Sequence, residues 1–405
     1  MQRRQFTRAF SFMALSPLLA PLTALAKTGD SLTMLQGVVP DDKGLPQELP
    51  ANIRKLINTV MAADYKKVNT DWFGSITIEG MLRFAKRGYR EGYDYADNWF
   101  RYRVEHDKKL TDEEYYKQYE GNRARIMRDG PLAFAIYSAN LGVAFPVHEL
   151  YLLNKSEDAR TVCMNVADAI LQYAARDRFG MLAHDDFNFT EFAIPDTAYW
   201  ATRANAIAAS LCTNKEVAAI YWKQSIFQLE QGIACFLDKE KGIVRTGLFK
   251  GLPGKTYWCR SQGWLLWAIG GLLRYLPESH PSFKSMAATM QLIANGLQQY
   301  QTASGAWCVL VDDASTPEEV TGTCMILSAL KEASRKKWID GQRHEQMLQK
   351  AWQYTCNAVD KEGNVHHAYT GWAVPAEKGQ TNMMDERFMG FVPGIVMLAA
   401  DEMTR

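Results

Sequence analysis

From residue 50 onward, apolar side chains recur three and four positions apart in long runs broken by glycine, proline or charged turns. That spacing belongs to helices that each bury one face. It predicts helices over residues 49–65, 73–88, 91–105, 130–142, 144–153, 156–173, 197–211, 216–236, 262–275, 283–299, 321–334, 341–357 and 388–403. Strand-like alternation is rare, and 308–311 and 365–370 are its best short examples. The helices come in pairs about every 45 to 60 residues, although no sequence repeat is legible. An all-α chain of this kind hides its apolar faces by closing helix–turn–helix units into a double-layered barrel or by stacking them as an open solenoid.

The first 26 residues follow a different pattern. Arg3-Arg4-Gln5-Phe6 precedes an apolar run from Phe10 to Leu25 that closes on Ala24-Leu25-Ala26. A basic start, a modest apolar run and small residues at its end predict a signal peptide over 1–26. The adjacent arginines point to the twin-arginine route and so to a bacterial protein that is periplasmic or secreted. Pro17 and Pro21 interrupt the run, which argues against an integral membrane anchor. Residues 27–48 read as an N-terminal extension and 49–405 as one domain, since no proline-rich or glycine-serine linker follows residue 50.

Composition narrows the function. With 47% hydrophobic and 22% charged residues the chain has an ordinary globular balance. Its net charge of +1 with dispersed basic residues gives no surface for nucleic acid. The seven cysteines lack zinc-like spacing and read as free thiols in apolar segments. Glycine-rich phosphate cradles and metalloprotease histidine pairs are missing, and the adjacent His366 and His367 point apart on a strand. Neither a cofactor nor a metal is expected.

The chemistry concentrates before apolar helices. In Tyr257-Trp258-Cys259-Arg260-Ser261-Gln262-Gly263-Trp264 an arginine stands between tryptophans at a helix entrance. A guanidinium fork suits a carboxylate and an indole suits a sugar face, so Trp258, Arg260 and Trp264 are candidate contacts for an acidic, ring-shaped ligand. Asp196 follows Pro195 at another helix start, where it could cap the helix or carry a proton. A helix N-terminus lowers a carboxyl pKa, so an acid there needs burial or a second carboxylate nearby; Asp129, also beside an expected helix start, is the candidate neighbour. His184, in a polar connection, could orient a hydroxyl or carboxylate. Carboxylates, an arginine and aromatics suit carbohydrate acid–base chemistry. A glycosidase for ordinary saturated sugars and a catalytically silent glycan-binding protein suit the same inventory.

Several segments together resemble the unsaturated rhamnogalacturonyl and glucuronyl hydrolases, glycoside hydrolase families 105 and 88. Trp258 to Trp264 is similar to the family pattern Trp-Ala-Arg-Gly-x-Gly-Trp, and Thr321-Gly322-Thr323-Cys324-Met325 to Ser-Gly-Thr-Ala-Met. Phe391-Val392-Pro393-Gly394 and Asp71-Trp72 resemble the closing and opening helical units. The resemblance implies an (α/α)6 barrel of six helical hairpins and a cofactor-free hydrolase. Its substrate would be a lyase-generated acidic oligosaccharide that carries a 4,5-unsaturated uronic acid at the non-reducing end. An aspartic acid would protonate the enol ether and assist its hydration; by position it falls on Asp196, with the second aspartate on Asp129 and an upstream histidine on His184. Arg260 and Trp258 would correspond to the carboxylate-binding arginine and its neighbour. The chain departs from the family where Val244 to Lys250 lacks a histidine, and where Thr197 replaces the glycine after the aspartate.

Overall fold

Half of the long helices begin where a polar side chain takes up an amide that the first turn leaves free. Asp71 accepts from the Gly74 amide at 3.1 Å, Ser156 from Ala159 at 3.4 Å, Asn214 from Val217 at 3.0 Å and Asp340 from Arg343 at 3.4 Å. Proline at the first turn serves the helices that begin at Pro195 and Pro281.

The computed structural model describes residues 45–118, 124–184, 192–249, 251–369 and 390–405. The expected signal peptide, and the N-terminal extension up to residue 44, lie outside the described residues. Residues Val39–Arg405 form one compact unit. In chain order it contains α1 (Ala51–Ala62), α2 (Trp72–Ala85), α3 (Arg90–His106), α4 (Asp112–Gln118), β1 (Ile126–Met127), β2 (Phe134–Ala135), α5 (Ala144–Asn154) and α6 (Glu157–Gln172). Then follow β3 (Phe192–Ala193), α7 (Pro195–Leu211), α8 (Lys215–Phe236), β4 (Leu237–Asp238), β5 (Ile243–Val244), β6 (Leu248–Phe249), β7 (Leu252–Pro253) and α9 (Cys259–Leu273). The chain ends with α10 (Pro281–Gln298), β8 (Trp307–Cys308), β9 (Glu318–Glu319), α11 (Val320–Arg335), α12 (Gly341–Asn357) and α13 (Val392–Met403).

Helices α2, α5, α7, α9, α11 and α13 pack in sequence, and α13 returns against α2. Closure excludes the open solenoid. It needs close backbone approach: a Cβ on Gly394 would lie 2.6 Å from the Thr77 amide nitrogen, and one on Gly80 would lie 2.9 Å from Met397 Cβ. The inner helices are buried nearly all round; every residue of α9 is buried. Helices α3, α6, α8, α10 and α12 pair with the inner helix that precedes each, and α1 from the start of the unit pairs with α13. These outer helices bury a stripe only, as α12 does with His344, Met347, Leu348, Ala351, Tyr354 and Thr355. The fold is the all-α (α/α)6 barrel of six hairpins.

A repeat that the sequence hides becomes legible in the turns from outer to inner helix. Glycines with positive φ recur about every 60 residues, at Gly180, Gly242, Gly305 and Gly363 (80°, 68°, 102° and 87°). Asp177, Asp238 and Asp360 accept backbone amides within three of these turns. The turns aim the chain back toward the starts of α7, α9, α11 and α13, so what varies between repeats is the connection that follows.

The predicted helix over 130–142 is not one. Those residues form β2 and a 3₁₀ turn, Ser138–Val143, that leads into α5, because Leu132 to Ile136 are buried in an extended hairpin against β1. Only Cys308 of the predicted strand 308–311 lies in β8, and 365–370 supplies an isolated bridge at Val365, with residue 370 outside the described residues. The last helix begins at Val392 rather than 388, and the polar α4 carries too little apolar periodicity to be foreseen.

The C-terminal halves of the inner helices hold buried ion pairs. Arg203 on α7 reaches both carboxylate oxygens of Glu79 on α2, at 2.6 and 2.8 Å, while Arg274 grips Glu332 with distances of 2.6 and 2.5 Å. A 20 Å³ cavity among them, lined in part by Arg83 and Glu402, is the size of one water. All seven cysteines are free. No helix among the described residues is long and apolar enough to cross a membrane.

Candidate active site

The N-terminal ends of α2, α7, α9, α11 and α13 carry the residues that could do chemistry. An aromatic floor joins them. Trp264 on α9 lies 5.4 Å from Tyr199, 5.2 Å from Trp200 and 5.8 Å from Trp72 between ring centroids, and Trp72 meets Phe391 at 4.3 Å. Packed this way, Trp264 supports the floor and is itself buried.

Asp196 sits in the first turn of α7, one residue past Pro195, so it is not the cap: that position is Ile194. Its Oδ1 accepts the Thr197 amide at 3.0 Å, and the Thr197 hydroxyl donates to the Ile194 carbonyl at 2.9 Å. The threonine at the family's glycine position therefore ties down the turn that holds the acid. Asp196 keeps a window to solvent. Burial nonetheless dominates, pushing its carboxyl up to about 7 against the opposing pulls of the backbone amides and Arg260. Burial alone supplies the compensation for which sequence reasoning looked to Asp129.

Arg260 stands in the first turn of α9. That turn is fixed by the Cys259 amide donating to the Val309 carbonyl at 2.9 Å and by Gln262, whose side chain bonds Val244 on both sides at 2.7 and 2.6 Å. The guanidinium lies over the Trp258 ring at 4.1 Å, so this indole face serves the arginine. Nη1 donates to Thr321 Oγ1 at 3.2 Å and to the Tyr369 carbonyl at 2.8 Å, and lies 3.7 Å from Glu319 Oε1. Both hydrogen bonds use one nitrogen, which leaves the Nε–Nη2 edge without a protein acceptor among the described residues. Asp196 and Arg260 feel each other electrostatically but form no ion pair. An acid and a half-engaged guanidinium thus share one site.

The structure brings Asp196, Arg260 and Trp258 together, with Trp264 beneath. Asp129 is exposed in the bend between β1 and β2, where neighbouring Gly130 abuts Asn165 of the outer helix α6. No hydrogen bond or ion pair joins Asp129 to Asp196 or Arg260. Without a helix over 130–142, Asp129 does not stand beside the helix start that was expected there. His184 is part-buried; its carbonyl accepts from Ser138 Oγ at 2.9 Å and its ring meets Tyr137 edge-on at 5.9 Å, contacts with the connection into α5. Where the family has its histidine stretch, this chain builds the β6–β7 hairpin, which pairs with β3 just ahead of Asp196. Arg245, at its base, is spent on Asp238 at 2.5 Å.

Sequence reasoning missed Glu319 and the Tyr369 carbonyl as partners of Arg260, and Phe391 beside its guanidinium at 5.7 Å. Glu319, two residues before Thr321, had a local signal as a helix cap. Tyr369 had none, because a backbone carbonyl leaves no trace in composition. Among the described residues, no group of three or more histidine, cysteine or acidic side chains is arranged to hold a metal ion.

Comparison with known proteins gives consistent results. The family model for Glycosyl Hydrolase Family 88 matches residues 52–405. The unsaturated 3S-rhamnoglycuronyl hydrolase of an Alteromonas species is 29% identical over 36% of this chain and 35% of its own length, about a third of that relative. The unsaturated rhamnogalacturonyl hydrolase YesR of Bacillus subtilis is 23% identical over 81% of this chain and 87% of its own length. Among solved structures, a possible GH105 member from Klebsiella pneumoniae superposes with a TM-score of 0.73 at 16% identity, covering 87% of this chain and 92% of that one.

Proposed function

Because the chain belongs to Glycosyl Hydrolase Family 88 and is a glycoside hydrolase, we propose that it removes a 4,5-unsaturated uronic acid from the non-reducing end of lyase-generated oligosaccharides. The observation that carries this reading is a carboxyl pushed up to about 7 within electrostatic reach of a guanidinium whose Nε–Nη2 edge has no acceptor among the described residues. An enol-ether uronate needs both. Its carboxylate is a bidentate partner for the Nε–Nη2 edge of Arg260. Its C4 needs a proton that an ordinary aspartate, ionised at neutral pH, does not hold.

In the proposed reaction Asp196 gives its proton to C4 of the C4=C5 bond, and positive charge develops at C5 and the ring oxygen. Water adds at C5, losing a proton to the Asp196 carboxylate, and the product is a hemiketal. The hemiketal opens to the C5 ketone, C1 becomes a free hemiacetal, and its collapse to the aldehyde expels the neighbouring sugar. Each proton spent is returned, and no redox partner is needed. Names of the two curated relatives contain rhamnose, which favours an unsaturated uronyl–rhamnose link in the substrate. The twin-arginine leader read from the sequence would place the step outside the cytoplasm.

The test is incubation with unsaturated disaccharides made by polysaccharide lyases. Turnover should erase the ultraviolet absorbance of the conjugated enol ether, fastest with rhamnose as the second sugar. Unchanged absorbance across rhamnogalacturonan- and glycosaminoglycan-derived substrates would overturn the proposal.

A further inference from the structure

Arg260 poses an electrostatic problem for the site it serves. A guanidinium close enough to hold the substrate carboxylate also favours the ionised form of Asp196. Left alone, it would draw off the proton that the reaction uses. The barrel places a third group, Glu319, against the Nη1 nitrogen of the arginine.

Glu319 ends β9 and caps α11, and it is fully buried. Its Oε1 accepts from the Thr321 amide at 3.1 Å and from the Thr321 hydroxyl at 2.5 Å, while Oε2 accepts from the Gly322 amide at 2.5 Å. These bonds fix its orientation at the start of α11. The Thr321 oxygen that donates to Glu319 also accepts from Arg260 Nη1, so a short relay runs from Arg260 through Thr321 to Glu319. The same nitrogen lies 3.7 Å from Glu319 Oε1. Asp196, Arg260 and Glu319 thus come from three successive inner helices or their caps.

We propose that Glu319 is a positioning residue for this reaction: it locks the Nη1 side of Arg260 and offsets its charge, so that the open edge can take a substrate carboxylate while Asp196 keeps its proton. The inference rests on the proposed function for its kinetic meaning, but the electrostatics hold independently of it. Among the described residues the titratable neighbours include Glu318, which precedes Glu319, and His367, whose carbonyl accepts the Val320 amide at 2.9 Å. Burial pushes the thiols of Cys259 and Cys324 up, the latter to about 12, and the Tyr354 phenol on α12 up as well. From α2 and the start of α13 the facing groups are the uncharged Trp72 and Phe391. Among the described residues, Glu319 is the carboxylate that pairs with Arg260.

The experiment is Glu319→Gln, which keeps the size and acceptor oxygen while removing the charge. The Asp196 carboxyl is followed by carbon-13 NMR across pH in the full-length protein, assigned by its loss in Asp196→Asn. Glu319→Gln should lower its midpoint by about half a pH unit or more, and should shift the alkaline limb of kcat/KM the same way. Thr321→Val, which keeps the charge and cuts the relay, should raise KM with the limb unmoved. Glu319→Asp should restore the midpoint. If Glu319→Gln does not fold, Thr321→Val must still show the rise in KM, and an unchanged KM there overturns the positioning role. An unmoved Asp196 midpoint in folded Glu319→Gln overturns the charge role. If the wild-type protein turns over no unsaturated disaccharide, the functional reading fails alone, and the NMR titration with calorimetric binding of an unsaturated uronate still decides the part played by Glu319.

Discussion

Replacing Asp196 by asparagine separates the proposed acid from a structural one through two measurements with opposite signs. The folded carboxyl titrates near 7 against an ordinary value of 3.8. About three pH units, at about 1.4 kcal/mol each, amount to at most about 4 kcal/mol of linkage. The window to solvent reduces this to about 2–3 kcal/mol. A raised pKa makes the favourable contribution complete below 3.8 and removes it as pH climbs through 7. Above that, the folded protein bears the cost of a poorly solvated carboxylate. Asparagine retains an oxygen for the Thr197 amide and never ionises. Asp196→Asn should therefore match the wild type in denaturant stability near pH 4 and exceed it by about 2–3 kcal/mol at pH 8. In the same preparation, kcat on an unsaturated disaccharide should fall by about a thousandfold or more, with calorimetric affinity largely kept. A variant no more stable at pH 8 than wild type would show that burial does not hold the proton. Near-normal turnover would remove Asp196 from the chemistry.

Further expectations concern the arginine, the ion pairs and the barrel seam. Arg260→Lys loses the fork that spans Thr321, the Tyr369 carbonyl and the ligand, so KM should rise about tenfold or more, read by steady-state kinetics; an unchanged KM would contradict carboxylate binding. Arg203→Met leaves Glu79 in the barrel interior with Arg83, at 3.3 Å, as its remaining partner among the described residues and should cost about 3–5 kcal/mol in urea unfolding, whereas a loss below about 1 kcal/mol would mean that Arg83 alone suffices. Burial raises the Glu332 carboxyl but Arg274 overrides it, holding it down to about 2, so its contribution is present above pH 4.5 and disappears as pH falls through 2. Glu332→Gln should flatten acid unfolding over that window, and an identical acid limb would refute the assignment. A methyl on Gly322 would lie 2.4 Å from Cys259 Sγ, so Gly322→Ala should push α11 from α9 and lower thermal stability together with affinity for the uronate.

How much of this could be read from the chain depends on the range of the interaction involved. Helices such as α8, α10 and α12 were legible because their period is local. Whether the hairpins close was not, since closure rests on α13 meeting α2 across the whole domain, through Gly80 and Gly394. The repeat escaped notice because it lies in a φ value at four glycines and not in side-chain identity. The helix expected after Asp129 failed for a related reason: Leu132 to Ile136 are apolar enough to mimic a helix, and a buried two-stranded turn offers too few residues for period 2 to emerge.

The site divides along the same line. Arg260 and Asp196 were visible as residue types beside helix starts, but the sequence framed their chemistry as a question of pairs: two carboxylates to raise one pKa, two tryptophans to hold one sugar. The structure replaces both pairs. Desolvation raises Asp196 without a second acid, and Trp258 turns its face to the arginine. The second carboxylate does exist, yet it is Glu319, and it partners the guanidinium. A carboxylate beside Asp196 would have raised its pKa by repulsion and weakened the attraction for an anionic substrate. Placed behind Arg260, a carboxylate lessens the pull on the proton and leaves the substrate-facing edge positive. Distance decides between these outcomes, and the ring packing of α7, α9 and α11 sets that distance.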